Sequence, residues 1–446
     1  MRSATFDVLL SRLLTRSGDQ AWDFALAITL LTLFPRHTQL VIALFFASKA
    51  ATIVFFPRLA MVIDDWRRLK TAFLGTSLQS GGVVLVTASL LALAKPPSFL
   101  LAPGSEYSPV VFGVLLFVLG VGSMASSLGQ NLMDVAVGID WLPGLVPSEG
   151  LAKVNTRLRQ IDLLTEVGAP VAAGLLLAVK PAALPIAGFL CVALWNLMSF
   201  VPEMALLRRV VKTSDVLSRK MDMPAANKQS LVRKCAAGWA DFFSQPTAPV
   251  MLASALLWLT VLSPHGILLT AYLKSEWKLS EANLGFFRGA GAAVGLMATF
   301  VYPFLRTRLG LVRGSLAFLG FQATAVAGAG AFFVAQKFEV LRVFNGLVVF
   351  AFLACVVVSR LGLFGFLLGE TEIRQVGIPE AQRGRVNGVA TALTSGATLL
   401  LFAAGSVFPS GQGFAALVAL SVAAVVSAAV LFGSWARKSL GSPRAT

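Results

Sequence analysis

The chain has 446 residues, 57% of them hydrophobic and only 13% charged, where a soluble protein of this length carries about one-quarter charged residues. With a mean hydropathy of +0.79 and repeated apolar runs of about 20 residues, this composition excludes a soluble globular protein and indicates a polytopic membrane protein. The net charge of +16 sits in short segments between the apolar runs and no RNA- or DNA-binding motif accompanies it, so nucleic acid is not an expected partner.

Three cysteines, Cys191, Cys235 and Cys355, stand far apart without a C-x-x-C pairing, which excludes a disulfide framework and a zinc knuckle. No phosphate loop, nucleophile–base pair or closed metal-ligand set appears in the loops, so an enzyme and an organic cofactor are not expected. Arg2, Asp7, Arg12, Arg16 and Asp19 interrupt the first 20 residues. They do not read as a cleaved signal peptide, and the first span is expected to direct insertion itself.

Twelve spans are read in chain order. They fall near 8–34, 38–62, 70–95, 108–135, 155–178 and 182–207, then 248–273, 282–304, 311–335, 340–368, 381–407 and 411–435. Span one, through "TRSGDQAWDF", carries Thr15, Asp19 and Asp23, the two aspartates four residues apart and so on one helical face. Span three contributes Gln79. Span six contains "WNLMSFVPE", in which Asn196, Ser199 and Glu203 lie at i, i+3 and i+7 and share one stripe. A lone amide or hydroxyl in a span serves as interhelical glue, but ionisable groups in lipid are costly and mark a pathway or a partner. Asp19, Gln79, Asn196, Ser199 and Glu203 all offer oxygen, the donor type that suits a hard or borderline divalent cation.

Span seven reads "WLTVLSPHGILLTAYL", with Ser263-Pro264-His265-Gly266 in its middle. Proline removes a backbone donor and glycine loosens the helix, so a break is expected there. Broken helices in transporters expose backbone groups at binding sites, and His265 is a candidate ligand or proton carrier. His37, the other histidine, is assigned to an outside loop. Span ten holds Arg360 in "VVVSRLGLFGF", either a carbonyl-capping arginine or a functional one, with no partner legible; Glu370 and Glu372 follow.

Basic residues set the orientation. Arg2, Arg12 and Arg16, Arg58, Arg67, Arg68 and Lys70, Lys153, Arg157 and Arg159, the run from Arg208 to Lys234, Arg306, Arg308 and Arg313, Arg374, Arg383 and Arg385, and Arg437 and Lys438 mark one side. The other side holds Arg36, Lys95, Lys180, Lys274, Lys278 and Lys337. The positive-inside rule then places both termini in the cytoplasm of a cell-membrane protein. The longest polar segment, 208–247, divides the chain into an amino-terminal lobe (1–207) and a carboxyl-terminal lobe (248–446) of six spans each. This is the layout of an all-α major facilitator fold.

"TRSGDQAWDFA", "VIDDWRRLK", "GIDWLPGLV", "KVNTRLRQIDLLTEVGAPVAAG", "WNLMSFVPE" and "QRGRVNGV" resemble the ferroportin family in order and spacing. The resemblance runs from about residue 12 to 430, is closest to bacterial members, and is most specific over 138–203. It implies a major-facilitator exporter of Fe2+, with H+ coupling. Carried residue by residue, it implies an amino-lobe metal site at Asp19, Asn196 and Ser199, with Thr15 and the region of Phe200 nearby. Gln79 and Glu203 match oxygen ligands that, with Asp19 and Asn196, complete a calcium site in animal members, which implies Ca2+ as a regulator. His265 falls where the broken seventh helix supplies a metal ligand. Asp64, Arg68, Asp140, Arg159 and Asp162 match the charges of a cytoplasmic gate. Two positions depart: Asp23 stands where animal members have histidine, and Leu401 stands where they place a second-site histidine.

The expected activity is therefore Fe2+ efflux by alternating access as H+ antiport, tolerant of Co2+, Mn2+ or Ni2+, by a monomer in the lipid bilayer. Two rivals stay open. One is a major-facilitator drug or metabolite exporter, which requires a roomy aromatic cavity and no role for His265. The other is a non-transporting membrane receptor on the same scaffold, for which metal flux would be absent.

Overall fold

A computed structural model describes residues 2–34, 38–94, 109–178, 186–218, 231–336, 345–407 and 411–441. His37, Arg36, Lys95, Lys180, Lys337 and residues 219–230 of the central polar segment lie outside the described residues. Among the described residues the regular structure is entirely helical. In chain order come α1 (Arg2–Leu33), α2 (Thr38–Leu59), α3 (Met61–Asp65), α4 (Arg68–Ala94) and α5 (Pro109–Val135). A π-helical turn (Ala136–Trp141) follows, then α6 (Leu142–Leu145), α7 (Ser148–Leu177), α8 (Ala187–Thr213), α9 (Asp215–Ser218) and α10 (Leu231–Ser244). The remainder comprises α11 (Ala248–Leu256), α12 (Ile267–Ser275), α13 (Glu281–Leu309), α14 (Leu311–Ala335), α15 (Asn345–Gly377), a 3-10 turn (Glu380–Gln382), α16 (Arg383–Val407) and α17 (Gly411–Leu440).

Among the described residues ten helices are long and apolar enough to cross a membrane. In lipid only internally hydrogen-bonded backbone is tolerated, which is why runs of this length fold as continuous helices. The first and seventh expected spans fall outside that set for different reasons. The apolar half of α1 carries Arg16, Asp19 and Asp23. The seventh is divided: α11 ends at Leu256 and α12 begins at Ile267, with Pro264 and Gly266 in the non-helical stretch between them.

The chain forms two compact units. One comprises Met1–Pro147, Leu164–Asp241 and Pro379–Ala392; the other comprises Ser148–Leu163, Phe242–Ile378 and Leu393–Thr446. In the first unit, Trp22, Ala25, Val83, Leu119, Ala169 and Phe189 share one core, with Trp22 and Phe189 rings 5.1 Å apart. In the second, Val261, Leu262, Leu319, Val326, Phe352 and Val425 belong to one continuous core. These cores seat α1, α4 and α8 around the first polar cluster and the broken stretch 257–266 against α15 and α17.

Candidate metal centre

The stripe on α8 is buried along its length: Asn196, Ser199 and Glu203 are 2%, 8% and 3% exposed. Asp19 of α1 and Gln79 of α4 are buried with it, all within the first unit. Gln79 Nε2 donates to Asp19 Oδ1 at 2.5 Å, and Asn196 Nδ2 lies 3.5 Å from the same oxygen. Each amide has turned its donor to the carboxylate, and this fixes the consequence. Gln79 Oε1 and Asn196 Oδ1 are left buried with no hydrogen-bond partner among the described residues. Orphaned buried acceptors cost about 1–3 kcal/mol each, and a cation is one kind of partner that would relieve such a cost.

The neighbours extend the oxygen set. Ser199 Oγ donates to the Asn196 carbonyl at 2.7 Å, so its lone pairs point away from that bond. Thr15 Oγ1 donates to the Ser11 carbonyl at 2.9 Å and stands beside the Glu203 carboxylate. Gly18 keeps the helices close: a Cβ there would lie 3.2 Å from Asn196 Nδ2. Phe200 is only half-buried, its ring edge-on to Phe73 at 6.1 Å. Asp23 separates from Asp19, for it is exposed while Asp19 is buried, and Lys49 and then Arg16 are the cations that act on it. One turn along α1 carries the second aspartate past the edge of the buried stripe.

His265 is half-buried in the second unit, on the non-helical stretch between α11 and α12. That stretch is held from three sides. Val261 N donates to Ser421 Oγ at 2.9 Å, Arg360 Nη2 donates to the Leu262 carbonyl at 2.8 Å, and Arg288 Nη2 donates to the His265 carbonyl at 3.4 Å. Gly291 on α13 gives Pro264 and His265 their room, since a Cβ there would fall 2.7 Å from the proline ring. Leu401 is buried in the apolar core of this unit. Among the described residues no three His, Cys, Asp or Glu side chains form a group that could hold a metal ion.

The family model for Ferroportin1 (FPN1) matches residues 2–425. Ferreportin of Bdellovibrio bacteriovorus is 40% identical over 431 residues, covering 97% of this chain and 94% of that protein. The chain belongs to the ferroportin family. A crystal structure of a bacterial homologue of iron transporter ferroportin in an outward-facing state superposes with TM-score 0.86 at 40% identity, covering 97% of this chain and 99% of that one. The same kind of homologue with soaked iron gives 0.85 at 39% identity, over 97% and 98%. The proton:xylose symporter XylE, at 13% identity and TM-score 0.67 over 97% and 96%, shares the fold alone and makes it that of the major facilitators. This ferroportin-family chain is a multi-pass membrane transporter and not an enzyme.

The five charges that the ferroportin resemblance assigned to a gate fall into two groups. Asp64, Arg68 and Asp140 lie in the first unit. Asp64 accepts the backbone N–H of Gly384 (2.7 Å) and of Arg385 (2.9 Å), capping the amino terminus of α16 from a different helix. Arg68 Nε is 3.5 Å from Asp140 Oδ2, and its Nη2 donates to Glu380. Arg383 Nη1 reaches the Asp140 carbonyl at 3.3 Å, and Arg385 Nη1 pairs with Asp241 at 3.0 Å. Arg159 and Asp162 lie instead in the second unit, 4.0 Å apart on α7, with the Arg159 guanidinium 4.4 Å above the Phe364 ring. Sequence reasoning missed Glu380, Arg383 and Arg385 as partners, although "QRGRVNGV" held two of them. It also missed Arg12 and Arg16 of α1, which share Asp134 at 2.5 and 2.6 Å, and the reciprocal amide pair of Asn155 and Gln375 at 2.7 and 3.1 Å.

Proposed function

We propose that the chain exports Fe2+ from the cytoplasm by alternating access, in exchange for H+, and that related divalent ions such as Co2+, Mn2+ and Ni2+ follow the same route. The observation that carries this reading is the Asp19 carboxylate with two amide oxygens, those of Gln79 and Asn196, buried beside it without donors. One negative charge and a few neutral oxygens strip water from a divalent ion without closing a cage around it, so release remains feasible. The kinship with an iron transporter supplies the ion. Asp19, Asn196 and Ser199 are the proposed ligands, with Thr15 and the region of Phe200 at the margin; Glu203 and Gln79 join when a larger ion such as Ca2+ binds as regulator. His265 is the proposed ligand of a second site.

Proton coupling follows from ligand chemistry. Asp19 and His265 bind metal only when deprotonated, so protons and metal compete for the same atoms. The gate is proposed at Asp64, Arg68 and Asp140 with their partners on the α16 amino terminus, and at Arg159 and Asp162. The orientation is proposed from the loop charges, with both termini cytoplasmic in the cell membrane and the chain acting as a monomer.

Isothermal titration of Co2+ into the purified chain tests the ligand set. Asp19→Ala is expected to abolish one binding event, Asn196→Ala to weaken it about tenfold, the cost of one lost charge-neutral ligand of about 1.4 kcal/mol, and His265→Ala to remove a different event. Unchanged isotherms in Asp19→Ala would refute the assignment.

A further inference from the structure

Arg12, Arg16 and Asp19 fall at i, i+4 and i+7 of α1 and so lie along one face of that helix. Side chains three residues apart on a helix have Cβ atoms about 5–6 Å from each other, within pairing distance for opposite charges. Arg16 is therefore a tethered cation within reach of Asp19, and it acts on that carboxylate electrostatically. Arg12 acts in the same way on Glu203. Left to themselves, the two guanidiniums would satisfy the acidic groups of the proposed centre and stand where a divalent ion would bind.

Both guanidiniums turn elsewhere, within the same unit. Asp134, near the end of α5, accepts Arg12 Nη1 on Oδ1 at 2.5 Å and Arg16 Nη2 on Oδ2 at 2.6 Å. Each carboxylate oxygen thus takes one arginine in a charge-assisted bond. These side chains are only partly exposed, 16% and 19% for the arginines and 34% for Asp134, so solvent ions screen the pairs weakly. The donors that reach Asp19 are instead the neutral amides of Gln79 and Asn196. Close packing ties the position of Asp134 to that of Gln79. A Cβ on Gly75 of α4 would fall 2.9 Å from the Met133 sulfur, and a Cβ on Gly129 of α5 would fall 2.6 Å from the Gln79 amide nitrogen. One α4–α5 seam therefore seats both the residue before Asp134 and the residue that donates to Asp19.

We infer that Asp134 is a positioning residue of the amino-lobe centre: it holds Arg16, and Arg12 with it, off the buried carboxylates, so that Asp19 stays open to a divalent ion. Asp134 itself touches no ion and acts only through the arginines. The consequence for metal rests on the proposed role of Asp19; the destination of the Arg16 side chain does not.

A double-mutant cycle read by Co2+ titration of the purified full-length chain tests the first part. Asp134→Asn is expected to weaken the Asp19-dependent event about thirtyfold, and Arg16→Gln alone to shift it less than about twofold, because that charge is already engaged. Asp134→Asn combined with Arg16→Gln is expected to return within about threefold of the unmodified chain, and Asp134→Glu, which keeps the anchor, to bind as the unmodified chain does. A bare sum of charges predicts otherwise: Arg16→Gln alone would then tighten binding by the factor that Asp134→Asn loses. That additive result, or unchanged binding in Asp134→Asn, would overturn the inference. The second part is read without metal, from a crystal structure of the Asp134→Asn chain. Arg16 is expected to donate to an Asp19 oxygen there; a guanidinium that stays beside residue 134 or turns to solvent would overturn the inference. An unmodified chain with no Asp19-dependent Co2+ event would refute the metal assignment instead, and the crystal structure would still decide where Arg16 goes.

Discussion

Gln79 decides the character of the amino-lobe centre more than its neutral side chain suggests. Its Nε2 donates to Asp19, and this leaves Oε1 buried without a donor among the described residues. Gln79→Leu is expected to weaken Ca2+ binding about tenfold, for it removes one proposed Ca2+ ligand oxygen and one donor to the Asp19 carboxylate. Gln79→Glu is expected to bind metal more tightly and to turn over more slowly, because a second carboxylate deepens the well from which the ion must escape. A transport-competent site that gained both affinity and rate from Gln79→Glu would contradict this. The α8 stripe was legible in the sequence because helical periodicity alone puts Asn196, Ser199 and Glu203 on one side. The Asp19–Gln79 contact was not, since 60 residues separate the partners and only packing brings α1 and α4 together. Asp23 shows the converse: spacing gave it the face of Asp19, and packing left it exposed.

Among the elements, α16 and the stretch between α11 and α12 carry the clearest consequences. A carboxylate at a helix amino terminus meets unpaired N–H groups and the positive end of the helix dipole. Asp64 does so across 320 residues of sequence. Asp64→Ala is expected to free the first turn of α16, accelerating hydrogen exchange of its amides about 30-fold, the equivalent of about 2 kcal/mol. Gly384→Ala is expected to produce the same signature, because a Cβ there would meet Ile63 Cβ at 2.8 Å and Asp64 Oδ1 at 2.9 Å. Protection equal to that of the unmodified chain in both variants would show that the cap does not hold the helix. The helix break at Pro264 and Gly266 was readable from residue type. What holds it was not, because Arg360 donates to a backbone carbonyl, and every residue offers one. Gly291→Val is expected to displace Pro264 and weaken the histidine-dependent metal binding while leaving the Asp19-dependent event intact, as separate steps in one titration would show.

For the whole molecule, composition and the spacing of apolar runs were enough for the class and the fold, because lipid permits so few backbone solutions. The division into compact units was harder to read. The segments 148–163 and 379–392 each belong to the unit drawn mainly from the opposite half of the chain, through contacts that no local pattern announces. The proposed export depends on protons and metal competing for Asp19 and His265. The decisive measurement is metal flux across proteoliposomes holding the full chain, with pH recorded on both faces and Ca2+ varied. The account predicts protein-dependent Fe2+ or Co2+ movement with protons passing the opposite way, lost in Asp19→Ala and reduced in His265→Ala. Metal movement at an undiminished rate in both variants, or with no opposing proton movement, would contradict it.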